Sequence, residues 1–170
     1  AADVLRRLAR VDRLRDGLVC LWSFNGGDMT STLAYDRSGN NNNGTLTNGP
    51  TKTIGKIGQA INFSATNQGV ALTSDIIGSS PVTTCFWSKL TSIDFGRRFV
   101  SNFSKYEISI STINRVEFTS NGGASSMLSA DNALIAGVWQ HICTTRDASG
   151  GGNIYINGTF STTGSTGVPA

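Results

Sequence analysis

Two hydrophobic periods divide the chain. Over residues 1–16, Val4, Leu8 and Val11 recur at helical spacing with Leu5 and Leu14 on the flanks, and Arg6, Arg7, Arg10 and Arg13 take the other positions. That spacing predicts an amphipathic α-helix, with Gly17 as its natural stop. Such a helix packs on the domain or on a copy of itself, or lays its arginine face on an anionic membrane. From Leu18 onward the period falls to two. Residues 18–24 are apolar on both faces, with Leu18, Cys20, Trp22 and Phe24 on one and Val19 and Leu21 on the other, as in a strand inside a two-layer structure.

Further strands are predicted over residues 60–63, 70–73, 82–90, 99–103, 106–111, 115–119, 138–145 and 152–156. Asn157-Gly158 stands between Ile154-Tyr155-Ile156 and Thr159-Phe160. It predicts a two-residue hairpin turn, since type I′ needs positive φ at both positions. Short strands with no helix between them imply a mainly β fold, a two-sheet antiparallel sandwich preceded by one short N-terminal helix. The expected organisation is the helix over 1–16, the sandwich over 17–160 and a flexible end over 161–170, where Ser, Thr, Gly and Pro show no apolar period.

Composition agrees with this division. Charged residues make up 15% and apolar ones 38%, with 20 Gly, which excludes a coiled coil and a disordered chain. The net charge of +3 is uneven: residues 1–16 hold five Arg against three Asp, leaving nine basic and eight acidic residues in the body. A nearly neutral body argues against nucleic-acid binding. No window reaches the roughly 18 apolar residues of a membrane span, so none is expected within the chain. Cys20, Cys85 and Cys143 lie far apart without a CxxC pair, which argues against zinc. One disulfide with a thiol left over and three reduced thiols are both compatible with that spacing.

Several segments, in order, carry a resemblance. They are Gly17-Leu18-Val19-Cys20-Leu21-Trp22-Ser23-Phe24, the run from Ala34-Tyr35-Asp36 to Gly44-Thr45-Leu46, Gly55-Lys56-Ile57-Gly58-Gln59-Ala60-Ile61-Asn62-Phe63, residues 82–89, Trp139-Gln140-His141-Ile142 and Ile154-Tyr155-Ile156-Asn157-Gly158. Together they resemble the laminin-G-like, concanavalin A-like family of jelly-roll domains. That resemblance implies a jelly-roll sandwich at a bacterial cell surface. It places Trp22, Phe24, Trp87 and Trp139 between the two sheets, a ligand platform being the alternative. Nothing similar to the family's closing strands follows Pro169, so the sandwich is expected to lack its final strands. Either the chain is cropped, or a partner's strand or a second copy completes it at an open sheet edge.

The candidate site is the loop over residues 36–44. Asp36, Ser38, Asn40 and Asn42 offer hard oxygens at alternating positions, a donor set suited to calcium, and related domains place a calcium near this loop. Polar turn chemistry accounts for the same residues without a metal. Catalysis finds little support. His141 is the single histidine, and Glu107 and Glu117 are the only glutamates, ten residues and a turn apart, without the E-x-D-x-E pattern in which retaining glycosidases of this overall fold set their carboxylates on one strand. The expected function is a non-catalytic extracellular binding or adhesion domain for glycans or protein ligands, with no cofactor beyond calcium. The alternative is the pilin-like head of an extracellular filament, self-associating through the N-terminal helix.

Overall fold

The computed structural model describes residues 15–78, 81–102, 105–120 and 125–168. The chain divides into two compact units, Ala1–Ile76 and Ile77–Ala170. Of the expected N-terminal helix, residues 1–14 lie outside the described residues. Its end is corrected: residues 15–17 form a turn, closed by the Leu18 N–H to the Arg15 carbonyl at 3.0 Å. Gly17, at φ 71°, reverses the backbone there, a left-handed step that ends helical propagation. Among the described residues there is no α-helix, only the 3-10 turn Gly26–Asp28. The described fold is therefore antiparallel β without the helical element.

The first unit holds β1 (Leu33–Ala34), β2 (Gly44–Thr47), β3 (Thr51–Ile54), β4 (Gln59–Asn62) and β5 (Gly69–Ala71). They form a three-stranded sheet in the order β1-β2-β5 and a separate β3-β4 hairpin. Met29, Ala34 and Leu46 are buried, and Trp22, Phe24, Ile61 and Val70 pack against them. Trp22 and Phe24 thus pack, partly buried, on the small core of the first unit, and not between the two sheets where the resemblance set them. Gly44 is required here, because a Cβ at that position would overlap the Val70 side chain and press on the Trp22 ring. Residues 18–24 alternate between partly buried and exposed, yet they join no ladder. Their backbone groups pair with the 36–42 loop instead, so a strand-like pattern has found side-chain partners.

The second unit holds β6 (Val82–Lys89), β7 (Arg98–Asn102), β8 (Tyr106–Ser111), β9 (Arg115–Ser120), β10 (Ser125–Leu128), β11 (Trp139–Arg146), β12 (Gly151–Ile156) and β13 (Thr159–Ser165). Two four-stranded antiparallel sheets, β10-β9-β8-β7 and β13-β12-β11-β6, face each other as a sandwich. Tyr106, Ile108, Ile110, Val116, Phe118 and Met127 come from one sheet, Ile142 and Ile154 from the other, and all are buried. Polar bonds also cross this core. The Tyr106 hydroxyl lies 2.8 Å from Thr144 Oγ1, and buried Arg146 donates to Ser120 Oγ (2.9 Å) and the Lys105 carbonyl (3.2 Å).

Two expectations change in this unit, and the open choice among the cysteines is settled. The end of the chain is not all loop: Thr159–Ser165 forms β13 on β12, and the β-branched threonines suit an edge strand. The hairpin turn itself is as expected, with Asn157 at φ 54° and Gly158 at φ 78°. Of the cysteines, Cys85 and Cys143 form a disulfide and Cys20 remains a thiol. Trp87 and Trp139 do not stand between the sheets. In β6 and β11 the inward positions belong to Phe86, Gln140 and Ile142, and the pleat sends the neighbouring tryptophans to the outer face.

Candidate functional site

The outer face of β13-β12-β11-β6 is ordered into rows by the strand register. Across β6 and β11, Lys89 lies opposite Trp139, Trp87 opposite His141, Cys85 opposite Cys143 and Thr83 opposite Thr145. β12 adds Tyr155 to the cysteine row and Asn153 to the threonine row, and β13 extends these rows with Phe160 and Thr163. The result is aromatic at one end and rich in hydroxyls and amide at the other, with rows about 6.6 Å apart.

The aromatic rows are built and partly open to solvent. The Trp87 and His141 rings lie 5.2 Å apart between centroids, tilted by 58°. Tyr155 and Phe160 meet edge to face at 5.9 Å. Trp87 keeps 42% and Phe160 55% of its surface exposed. His141 is fixed by its backbone: its N–H donates to Asn157 Oδ1 (2.9 Å) and its carbonyl accepts from the Asn157 N–H (2.8 Å). Behind the face, buried Gln140 holds residues 133–135 by bonds to the Ala133 carbonyl and the Ile135 N–H.

The polar row borders an open recess of about 410 Å³, lined by Thr145, Asp147, Gly151, Asn153 and Thr163 among others. The Thr145 hydroxyl accepts from the Asn153 N–H at 3.0 Å, and that of Thr163 donates to the Gly152 carbonyl at 3.0 Å. No side-chain hydrogen bond to another described residue engages the Asn153 amide, the Tyr155 hydroxyl or the His141 imidazole. Asp147 Oδ1 accepts from the Ser149 hydroxyl (2.7 Å), the Ser149 N–H (2.8 Å) and the Gly151 N–H (2.9 Å). Those bonds, the Ser149 hydroxyl first, hold its carboxyl below the usual range. Lys89 and Asp147 are the fully charged residues of this face.

The loop over residues 36–44 is brought together around Asp36. Oδ1 accepts from the Leu21 and Ser38 N–H groups, each at 2.8 Å, and Oδ2 from the Ser38 hydroxyl (2.6 Å) and the Asn42 N–H (3.0 Å). Asn40 Nδ2 donates to the Leu18 carbonyl (2.7 Å), and Asn42 Nδ2 to that of Val19 (2.9 Å). Burial alone raises the Asp36 pKa, but the Ser38, Leu21 and Asn42 bonds outweigh it and bring it to about 2. Cys20 Sγ points at the Asn42 carbonyl, 3.8 Å away. Burial, followed by the Asp36 charge, pushes this thiol up to about 12.

These residues do not fit a calcium ion as they stand. The roughly four lone-pair positions of the Asp36 carboxylate are taken by four protein donors. Among the described residues no group of three or more acidic, histidine or cysteine side chains gathers here or elsewhere. Asp36, Ser38, Asn40 and Asn42 are brought together, but as a clasp on residues 18–21. The outer face escapes a reading by residue type alone, yet its signal is in the sequence. Phe86 and Trp87 are adjacent in one strand, so both cannot point into the same core.

Comparison with known proteins places this geometry. Residues 64–170, well over half the chain, match the family model Laminin_G_3, described as the concanavalin A-like lectin/glucanases superfamily. Among solved structures, the binding domain of Paraclostridial Mosquitocidal Protein 1 is similar over 92% of this chain and 43% of its own, with TM-score 0.65 and 22% identity. An S-layer domain-containing protein from Clostridium thermocellum ATCC 27405 (residues 221–444) is similar over 88% of this chain and 74% of its own, with TM-score 0.54 and 22% identity. The binding domain of Botulinum neurotoxin DC, solved in complex with rat synaptotagmin II, is similar over 88% and 39%, with TM-score 0.57 and 22% identity. At such identity the likeness is one of fold, and the chain spans less than half of the two toxin domains. No curated protein sequence matches the chain.

Proposed function

The chain belongs to the concanavalin A-like lectin/glucanases superfamily, and on that footing we propose that it is a non-catalytic binding module acting outside the cell. Its ligand is a glycan, held on the outer face of the β6-β11-β12-β13 sheet. The observation that carries this reading is the row of Tyr155 and Phe160 lying beside the row of Thr145, Asn153 and Thr163. A pyranose ring offers apolar C–H groups on its faces and hydroxyls around its rim. Aromatic rings suit the first, and an amide and hydroxyls suit the second. With charge confined to Lys89 and Asp147, the face suits an uncharged sugar.

A binding role is favoured over hydrolysis by where the carboxylates lie. Cleaving a glycosidic bond takes two of them, roughly 5 to 10 Å apart. Glu107 and Glu117 are diagonal neighbours on β8 and β9, about 7 to 8 Å apart, but they belong to the other sheet and not to this face, and Glu107 is engaged by Arg98 at 2.6 Å. The disulfide supports an oxidising compartment, and the similar solved proteins are named as toxin binding domains and an S-layer protein.

An array of immobilised glycans, probed with the wild-type chain and with Trp87→Ala, Asn153→Ala and Phe160→Ala, tests this reading. Wild type is expected to bind a subset of glycans, and at least one substitution to weaken binding about tenfold with an unchanged Tm. Absence of binding to any glycan, or equal binding by all three variants, overturns it.

A further inference from the structure

A regular strand cannot set Phe160 and Thr163 on one face, because residues three apart point to opposite sides of the pleat. β13 does so through a bulge. Thr163 lies opposite Asn153 and Thr162 opposite Ile154, but Phe160 lies opposite Tyr155, which leaves Ser161 as the extra residue. The bulge is held in place from the other sheet. The Ser161 hydroxyl accepts from the Ala130 N–H at 2.9 Å, just beyond the end of β10. Both rows of the outer face are thereby carried onto a fourth strand.

With that strand included, two stripes run side by side across the sheet. One is apolar, formed by the Cys85–Cys143 disulfide, Tyr155 and Phe160. The other is polar, formed by Thr83, Thr145, Asn153 and Thr163. Each crosses three gaps between strands, about 14 Å in all. The outermost members, Thr83 and Cys85 on β6 and Phe160 and Thr163 on β13, are exposed. A pyranose ring covers about one gap, so a single sugar leaves most of both stripes bare. On the glycan reading, on which this rests, we infer that the ligand is an extended, equatorially linked chain of which about three units lie across the strands. It is gripped along its length and not by its end. Equatorial links hold the ring faces in one plane with hydroxyls along the edges, and a straight apolar stripe beside a polar one matches that ribbon. Axial links coil the chain away from the sheet.

Calorimetric titration with β-1,4-linked oligomers of glucose, N-acetylglucosamine, mannose and xylose, from one to six units long, tests the inference. For at least one series, affinity is expected to rise about tenfold or more up to about three units and then to level. Capping the reducing end as a methyl glycoside should leave the hexamer's affinity unchanged. Phe160→Ala/Thr163→Ala, which strips the β13 positions, is expected to weaken the hexamer about tenfold and the dimer by less, with the Tm of wild type. Equal affinity for one unit and six overturns the inference, and so does equal loss of dimer and hexamer in the variant. Binding on the glycan array without binding to any of the four series overturns it too. All three of these results leave the glycan reading standing, whereas a blank array removes that reading and the inference with it.

Discussion

The Leu21 N–H donates to Asp36 Oδ1 at 2.8 Å, across fifteen residues of chain, and through this bond a loop carboxylate takes the place of a neighbouring strand. Asp36→Asn removes the charge and replaces one acceptor oxygen with a donor. It is expected to cost about 2–3 kcal/mol at neutral pH, measured by urea unfolding. The pH dependence follows from the folded pKa of about 2 against an ordinary 3.8. The contribution is complete above the ordinary value and is lost as pH falls through the folded one. The gap between wild type and variant should therefore close from about pH 4 toward pH 2. A gap constant over that window would show that the charge is irrelevant.

Because the same carboxylate is saturated by protein donors, calcium is expected to leave the protein unchanged. Calorimetric titration should give no binding heat, and neither calcium nor a chelator should move the Tm. A rise of several degrees with added calcium would mean that the clasp opens to admit a metal.

Gly152 and Gly164 lie opposite one another on β12 and β13, on the side that faces Met127. A Cβ on Gly152 would collide with the Thr145 carbonyl and come within 3.1 Å of Met127 Cε, whereas one on Gly164 would meet Met127 Cγ at 2.9 Å. Gly152→Ala is expected to cost about 3 kcal/mol, since backbone must move. Gly164→Ala should cost less and be partly rescued by Met127→Ala. Equal losses without rescue would refute this account of the packing.

Cys20 offers a readout of the clasp. With its pKa near 12, the thiol is expected to react with a disulfide reagent at pH 8 about a hundredfold more slowly in the native protein than in urea. Asp36→Asn should speed the native reaction by removing the adjacent charge. Fast labelling of native wild type would contradict the burial described for this segment.

Strands with strong alternation were legible from the residues. Tyr106–Ser111 matches its expected bounds, and the Asn157-Gly158 turn has the required backbone. Strands carrying few apolar residues were not: Ser125–Leu128 and Thr159–Ser165 lie at sheet edges, where hydrogen bonding to one neighbour needs no hydrophobic period. Residues 18–24 show the converse, an apolar alternation whose backbone is satisfied by Asp36, Asn40 and Asn42. The candidate loop was visible because Asn, Ser and Asp mark turns, but oxygen-rich composition does not distinguish a metal cage from a clasp. The aromatic face was hidden by the habit of assigning tryptophan to cores; only the pleat of β6 reveals it.

The bond between Cys85 and Cys143 spans 58 residues, and the whole of the β10-β9-β8-β7 sheet lies within that ring. A protease that nicks any connection between residues 86 and 142 therefore cuts the backbone without releasing a fragment. The cleaved product should run as one band on a gel until reductant is added, then fall into two. In surroundings rich in secreted proteases, such a ring lets the module survive a wound that would dismember an unlinked sandwich.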